Sequence, residues 1–176
     1  RQGLIFLLNV LSDKFIQFLA VSTKSVWGNS LKTVKIFVFV INFLLKMKMD
    51  KKYLEHVMTS GEAAMHAINQ KKFGKTFFHL GPERDISVFE KVKDNRTDLN
   101  SCDFILCTGL FDDYDNDLDY YKKFLLKHIS KKLICTNPDL IVHRGNMEEL
   151  CAGSVAKVFE DLGGEAIYFG KPYKEV

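Results

Sequence analysis

The chain has 176 residues, of which 47% are hydrophobic and 27% are charged. This balance excludes a disordered chain and is typical of a globular protein with a buried core. The net charge is only +3, and the lysines of the N-terminal third are scattered among apolar residues instead of forming a basic stripe. We therefore expect no nucleic-acid partner.

Two apolar stretches near the start, 3–21 and 36–45, do not predict a membrane span. Asp13 and Lys14 interrupt the first. The second is far shorter than the roughly 20 residues that a spanning helix requires. We expect no membrane partner.

The cysteine pattern indicates the redox compartment. The chain has four cysteines, Cys102, Cys107, Cys135 and Cys151. They form no Cys-x-x-Cys pair, and three of them lie in apolar runs, which favours buried free thiols over disulfides or a metal site. We expect a cytoplasmic protein.

The N-terminal part of the chain gives the weakest pattern. An apolar run at 15–21 predicts a strand, and the polar stretch 22–35 a loop. Apolar positions from Val40 onward approximate one face of a helix. Thr59 and Glu62 have the spacing of a capping box, which predicts a new helix over 61–70.

From residue 75 onward, strands and helices alternate. Strands are predicted at 75–80, 104–108, 133–136 and 166–169. Helices are predicted at 85–92, 118–129 and 154–162. Such alternation is typical of an α/β fold with a mostly parallel sheet.

Two polar motifs follow the last two predicted strands. Thr136-Asn-Pro-Asp139 comes directly after one strand, and Gly170-Lys171-Pro172 follows the other. A lysine at the carboxyl end of a strand can bring a positive charge to a phosphate, and the adjacent glycine permits a close backbone approach. From the residues alone, each motif is also compatible with a simple turn, of Asx type in the first case.

Several separated segments resemble the class IIA phosphatases of the haloacid dehalogenase (HAD) superfamily. The resemblance extends from about Phe43 to Lys174, and its segments fall in the order found in that family. They are Leu44-Leu-Lys-Met, Thr59-Ser-Gly-Glu-Ala-Ala64, Lys132-Leu-Ile-Cys-Thr-Asn-Pro-Asp139, Gly153-Ser154, Leu162-Gly-Gly and Ile167-Tyr-Phe-Gly-Lys-Pro172.

This resemblance implies a fold, a domain division and a substrate class. It implies an incomplete Rossmann-like core with an α/β cap: residues 1–58 as a partial core, 59–164 as the cap, and 165–176 as the return to the core. The family hydrolyses small phosphate monoesters, such as sugar, nucleotide or pyridoxal phosphates, through an aspartyl-phosphate and with Mg²⁺. The implied partner is a small phosphorylated molecule.

The resemblance also assigns roles to individual residues. Lys171 would bind the phosphate, while Asn137 and Asp139 would lie in the cap loop that contacts the leaving group. Two segments are candidates for the hydroxyl-bearing phosphate loop: Ser22 and Thr23 follow a suitable predicted strand, whereas Gly28-Asn29 stands at a more family-like distance from Thr59. We assign the role to Ser22 and Thr23.

The catalytic acids of the family are the main departure. No Asp-x-Asp occurs within residues 1–21, where Asp13 is the only acid, and the family's Mg²⁺-binding acids lie beyond its lysine motif. We therefore expect an internal fragment that is inactive by itself. The alternative is a noncatalytic cap-like module that binds a partner or forms a homodimer.

An acidic stretch precedes the helix predicted at 118–129. Asp113, Asp115 and Asp117 have the alternate spacing of a calcium loop, but Leu118 stands where that loop needs glycine. Acids before a helix favourably oppose the helix dipole. We expect a solvated helix start, and structural roles for the five isolated histidines.

Overall fold

The computed structural model describes residues 42–52, 59–145 and 147–173. The strand predicted at 15–21 and the phosphate-loop residues Ser22 and Thr23 lie outside these ranges. Residues 42–46 form a short helix in which Leu44 is buried.

The remaining described residues contain three α-helices and six strands. The helices are α1 (Ser60–Asn69), α2 (Leu118–Leu125) and α3 (Ala152–Asp161). The strands are β1 (Phe77–Leu80), β2 (Phe104–Cys107), β3 (Lys132–Cys135), β4 (Ile141–Arg144), β5 (Met147–Leu150) and β6 (Glu165–Tyr168).

Four of the strands form one parallel sheet in the order β1-β2-β3-β6. Both faces of this sheet are covered, which explains why β2 is buried along its whole length. The α/β fold with a parallel sheet is therefore confirmed. All four strands predicted from residue 75 onward are present.

One face of the sheet packs against α2 and α3. Ile105 and Leu133 point from the sheet into a cluster that includes Tyr121, Val155 and Phe159, all fully buried. The other face packs against α1 and the segment after β1. There Phe77, Phe104, Leu106 and Ile134 meet Ala63, Ala64, Ala67 and Phe89. The sheet is therefore the middle layer of three.

The structure begins α1 with the predicted capping box. The Glu62 amide donates to the Thr59 hydroxyl at 3.2 Å, and the Thr59 amide donates to the Glu62 carboxylate at 3.0 Å. The acidic stretch also behaves as predicted, because Asp117 caps α2 by accepting from the Tyr120 amide at 2.9 Å. Each pair satisfies donors that a helix start leaves unpaired.

Three features differ from the sequence predictions. The helix predicted at 85–92 is replaced by two 3₁₀ helices, Glu83–Val88 and Glu90–Asn95. The helix predicted at 118–129 ends at Leu125 and continues as a 3₁₀ turn to His128. The antiparallel hairpin of β4 and β5 was not predicted at all.

The last strand bears on the domain division. β6 begins at Glu165, the first residue after the predicted end of the cap, and it pairs with β3 in register from Lys132 to Cys135. The predicted boundary at 164 therefore falls between two parts of one hydrogen-bonded sheet. The division into a core (1–58), a cap (59–164) and a return segment (165–176) stays a prediction.

Candidate functional site: the carboxyl edge of the sheet

All four parallel strands end at the same edge of the sheet, which we call the carboxyl edge. It is formed by the loops that begin at Gly81, Thr108, Thr136 and Phe169, directly after β1, β2, β3 and β6. Open α/β sheets bind ligands at this edge because the loops there converge. Both polar motifs identified in the sequence lie on it.

The loop Thr136–Asp139 is held in a defined shape. The Asp139 amide donates to the Asn137 side-chain oxygen at 3.2 Å, which is the Asx turn considered above. The buried Thr136 hydroxyl donates to the Cys107 carbonyl at 3.3 Å, and the Cys135 thiol donates to the Asn137 carbonyl at 3.2 Å. The loop is therefore fixed to the ends of β2 and β3.

The start of α3 packs against this loop. The Gly153 amide donates to the Asp139 carbonyl at 3.1 Å. A Cβ atom on Gly153 would lie 2.2 Å from the Pro138 carbonyl oxygen. Ser154 donates its hydroxyl proton to the Leu140 carbonyl. Gly153 therefore leaves space for the loop backbone beside the helix, and Ser154 forms a hydrogen bond with that backbone.

The second motif lies directly against the first. A Cβ atom on Gly170 would be 2.5 Å from Pro138 Cδ and 3.5 Å from Ser60 Cβ, and Gly170 has φ of +141°. Only glycine combines this backbone conformation with so close a contact. The structure therefore brings Gly170 together with the loop that carries Asn137 and Asp139, at the point where α1 begins.

Lys171 follows on an exposed turn. The Tyr173 amide donates to the Gly170 carbonyl at 2.9 Å, and the Tyr173 ring stacks on Tyr168 with centroids 4.5 Å apart. The turn is thereby folded back against the end of β6. Lys171 is exposed, so its ammonium group can reach a ligand in solvent at this edge.

A polar cluster that the sequence analysis did not identify lies at the other end of the same edge. His79 Nε2 is 2.9 Å from the Thr108 hydroxyl oxygen. His79 is 1% exposed, and burial, together with Arg96, lowers its pKa to about 4. Burial raises the pKa of Asp85 to about 6, against the opposite effect of a hydrogen bond from Thr108.

These three residues are separated in sequence, and each alone has an ordinary structural meaning. The available signal was positional: His79 is a polar residue within an apolar strand, and Thr108 and Asp85 follow strand ends. The prediction that the histidines are structural is compatible with His79 as a buried residue. It did not include the contact with Thr108.

Thiol chemistry is not supported at this edge. None of the four cysteines forms a disulfide, and all four are buried. Burial raises the pKa of the Cys107 thiol far above its usual range and that of Cys135 to about 12. Neither thiol is a competent nucleophile, since reactivity requires the thiolate.

The described residues do not form a metal site. Within 42–52, 59–145 and 147–173, no three histidine, cysteine, aspartate or glutamate side chains are grouped so that they could hold an ion. The Mg²⁺ that the resemblance implies therefore has no fitting ligand set in this part of the chain. Nor does any described helix have both the length and the hydropathy of a membrane span.

No protein-family model and no curated protein matches the sequence. Among solved structures, a haloacid dehalogenase-like hydrolase from Brucella suis 1330 is 31% identical, with a TM-score of 0.61 over 68% of this chain and 46% of that one.

Two phosphatase structures are also similar. A double mutant of the thermostable NPPase from Geobacillus stearothermophilus is 19% identical, with a TM-score of 0.58 over 84% of this chain and 55% of that one. The 4-nitrophenylphosphatase from Thermotoga maritima is 25% identical, with a TM-score of 0.50 over 77% and 51%.

The chain spans about half the length of these structures. The likeness to the Geobacillus enzyme supports the fold alone. The Brucella hydrolase adds sequence identity over two thirds of this chain. With the parallel sheet and the two motifs at its carboxyl edge, this similarity relates the chain to the haloacid dehalogenase superfamily.

Proposed function

We propose that the chain is the cap-containing part of a class IIA phosphatase and that its carboxyl edge binds a small phosphate monoester. Lys171 binds the phosphate, and Asn137 and Asp139 contact the leaving group. The observation that carries this proposal is the contact of Gly170 with Pro138, because it unites the lysine motif and the polar loop. The similarity to a structure described as a 4-nitrophenylphosphatase supports the reaction class.

The chemistry proposed for these residues is binding and orientation. The Lys171 ammonium supplies a positive charge with three donors, which suits a phosphate dianion. Asn137 and Asp139 offer acceptors, and Asn137 an amide donor, to hydroxyl or amino groups of the leaving group. The roles proposed for these residues include no bond-breaking step.

We further propose that the 176 residues by themselves do not hydrolyse phosphate monoesters. Loss of a covalent nucleophile and of a metal removes most of a rate enhancement that is at least about 10⁶-fold in phosphatases. The test is hydrolysis of p-nitrophenyl phosphate in Mg²⁺. Turnover above background that disappears on chelation would contradict the proposal.

Binding is the property that the chain should retain. Calorimetric titration with p-nitrophenyl phosphate should show an interaction that Lys171→Ala weakens about tenfold or more, as expected for loss of a charged hydrogen-bond donor. Lys123→Ala is the matched control, because Lys123 is an exposed lysine on α2. Equal binding by both variants would refute the role of Lys171.

A noncatalytic interaction module is the second candidate function. The observation in its favour is a set of exposed apolar side chains on and beside the β4–β5 hairpin. Leu140, Ile141 and Met147 are 53%, 43% and 65% exposed. Light scattering across a concentration series tests for a homodimer. Conversion to a monomer by Met147→Lys would support this candidate, and a monomeric wild-type chain would exclude the homodimer form.

A further inference from the structure

We propose that Asp85, held in place by Thr108 and His79, binds the part of the ligand that does not carry the phosphate. The ligand class is a phosphate monoester with a hydroxyl or amino group within about 10 Å of the phosphorus atom, since neighbouring strands are about 4.8 Å apart and two spacings separate β2 from β6. This inference rests on the function proposed for Lys171.

Asp85 lies on the same surface as the polar loop after β3. The Thr108 amide donates to the Leu80 carbonyl at 2.9 Å, and the Thr136 amide donates to the Cys107 carbonyl at 3.0 Å. These bonds connect the ends of β1, β2 and β3 into a continuous surface. Asp85 lies on this surface beside the loop after β2, because a Cβ atom on Gly109 would be 3.7 Å from its Oδ2 atom.

Two glycines fit closely around the cluster. A Cβ atom on Gly81, which has φ of +154°, would lie 2.2 Å from the Thr108 hydroxyl oxygen and 3.0 Å from His79 Nε2. A Cβ atom on Gly109 would lie 3.7 Å from Asp85 Oδ2. Because neither glycine has a side chain, the backbone leaves room for Thr108, His79 and Asp85. The Asp85 carboxylate thereby lies at the end of β2.

The burial of His79 costs free energy. Its Nδ1 atom is buried and has no hydrogen-bond partner among the described residues, and its ring lies against Phe89 with centroids 4.5 Å apart. An apolar side chain would fill this site without an unpaired polar atom. The use of histidine here is explained if its bond to Thr108 positions the hydroxyl that contacts Asp85.

Asp85 differs from the other charged groups around the cluster in its ion pairing. The other charged groups around the cluster pair with each other: Arg84 with Asp112, and Arg96 with Glu83 at 2.6 Å. Asp85 has no ion-pair partner within the described part of the chain. Its carboxylate can accept from Thr108 and retains lone pairs for a ligand donor. Because Asp85 is only partly buried, such a donor can reach it.

The test compares two probes by amide chemical shifts of the full chain at pH 7. Inorganic phosphate should shift the signals of Gly170 and Lys171. Glucose 6-phosphate should also shift those of Thr108 and Gly109, and should bind roughly tenfold more tightly, as expected for added hydrogen bonds to a charged group.

Variants then test which side chains cause the added affinity for glucose 6-phosphate. Asp85→Asn and Thr108→Val should remove the advantage of glucose 6-phosphate over inorganic phosphate, whereas Thr108→Ser, which keeps the hydroxyl, should retain it. Asp113→Asn is the matched control for Asp85, because Asp113 is an exposed acid. The amide spectrum of each variant reports whether it has kept the fold.

Two outcomes would overturn the inference, and they are distinguishable. If inorganic phosphate shifts Gly170 but glucose 6-phosphate binds no more tightly, or Asp85→Asn keeps the advantage, then the role of Asp85 is wrong and the proposed function stands. If neither probe shifts Gly170, or Lys171→Ala binds both as tightly as the wild type, then the proposed function fails and this inference fails with it.

Discussion

Replacing Asp85 by asparagine should change how the stability of the protein depends on pH. In the folded protein, burial raises the pKa of this carboxyl from 3.8 to about 6. Between these values the folded state keeps a proton that the unfolded state has released. Wild-type stability therefore loses a contribution as pH rises through this window, and the loss amounts to about 3 kcal/mol at about 1.4 kcal/mol per pH unit.

His79 acts in the opposite direction. Its pKa falls from 6.5 to about 4 in the folded protein, so the unfolded state binds the additional proton between these values. The His79 contribution is therefore fully present above pH 6.5 and is lost as pH falls toward 4. Its size is again about 3 kcal/mol. In the wild type the two contributions oppose each other and largely cancel.

The assay is urea denaturation at pH 4, 5, 6 and 7. The free energy of unfolding of Asp85→Asn minus that of the wild type should rise by about 3 kcal/mol from pH 4 to pH 7. Taking this difference cancels the contributions to stability of carboxyl groups whose pKa is lowered in both proteins, such as Asp103. Asp113→Asn, at an exposed acid outside the cluster, is the matched control. A difference for Asp85→Asn that stays constant from pH 4 to pH 7 would refute the burial argument for this cluster.

Three further substitutions test the packing of the site and core by urea denaturation. Gly170→Ala should destabilise the fold by about 2 kcal/mol more than Gly145→Ala, because the added Cβ meets Pro138 at Gly170 and nothing within 4 Å at Gly145; equal effects would contradict the contact. Thr59→Ala should cost about 1 kcal/mol through loss of the capping box, and an unchanged midpoint would exclude it. Phe159→Ala should cost about 3 to 5 kcal/mol because this ring is fully buried; a loss below about 1 kcal/mol would show that the site is loosely packed.

The sequence predicted the sheet well because its strands are short apolar runs bounded by turn residues. The apolar run Phe104–Cys107 is short, which favours a strand buried on both faces over a helix, and the structure has that strand. The capping residues Thr59 and Asp117 were also predictable, since their contacts are local in sequence. The contact of Gly170 with Pro138 joins residues more than thirty positions apart, and only the resemblance to a known family connected them beforehand.

The features that the sequence did not predict depend on tertiary context. Residues 85–92 carry a helical spacing of apolar side chains, yet the structure forms two 3₁₀ helices there. The Phe89 side chain between them packs against Phe77 and His79, so tertiary packing accompanies the departure from the local pattern. The β4–β5 hairpin had a signal in Gly145, whose φ of +62° is typical of a hairpin turn.

The cluster of His79, Thr108 and Asp85 was the least accessible to sequence reasoning. Its members come from β1, the loop after β2 and a 3₁₀ helix, and no motif spacing links them. They meet because β1 and β2 are parallel neighbours in register, with Leu80 opposite Cys107. Parallel pairing between sequence-distant strands is a property of the folded sheet.

The most direct test of the central claim is a crystal structure of the chain soaked with inorganic phosphate. The account predicts an anion at the carboxyl edge, with the Lys171 ammonium within about 3 Å of a phosphate oxygen and with Asn137 and Asp139 facing the same space. Crystals of Lys171→Ala under the same conditions should lack this anion. A carboxyl edge without phosphate in the wild type, or an anion that persists there in Lys171→Ala, would contradict the account.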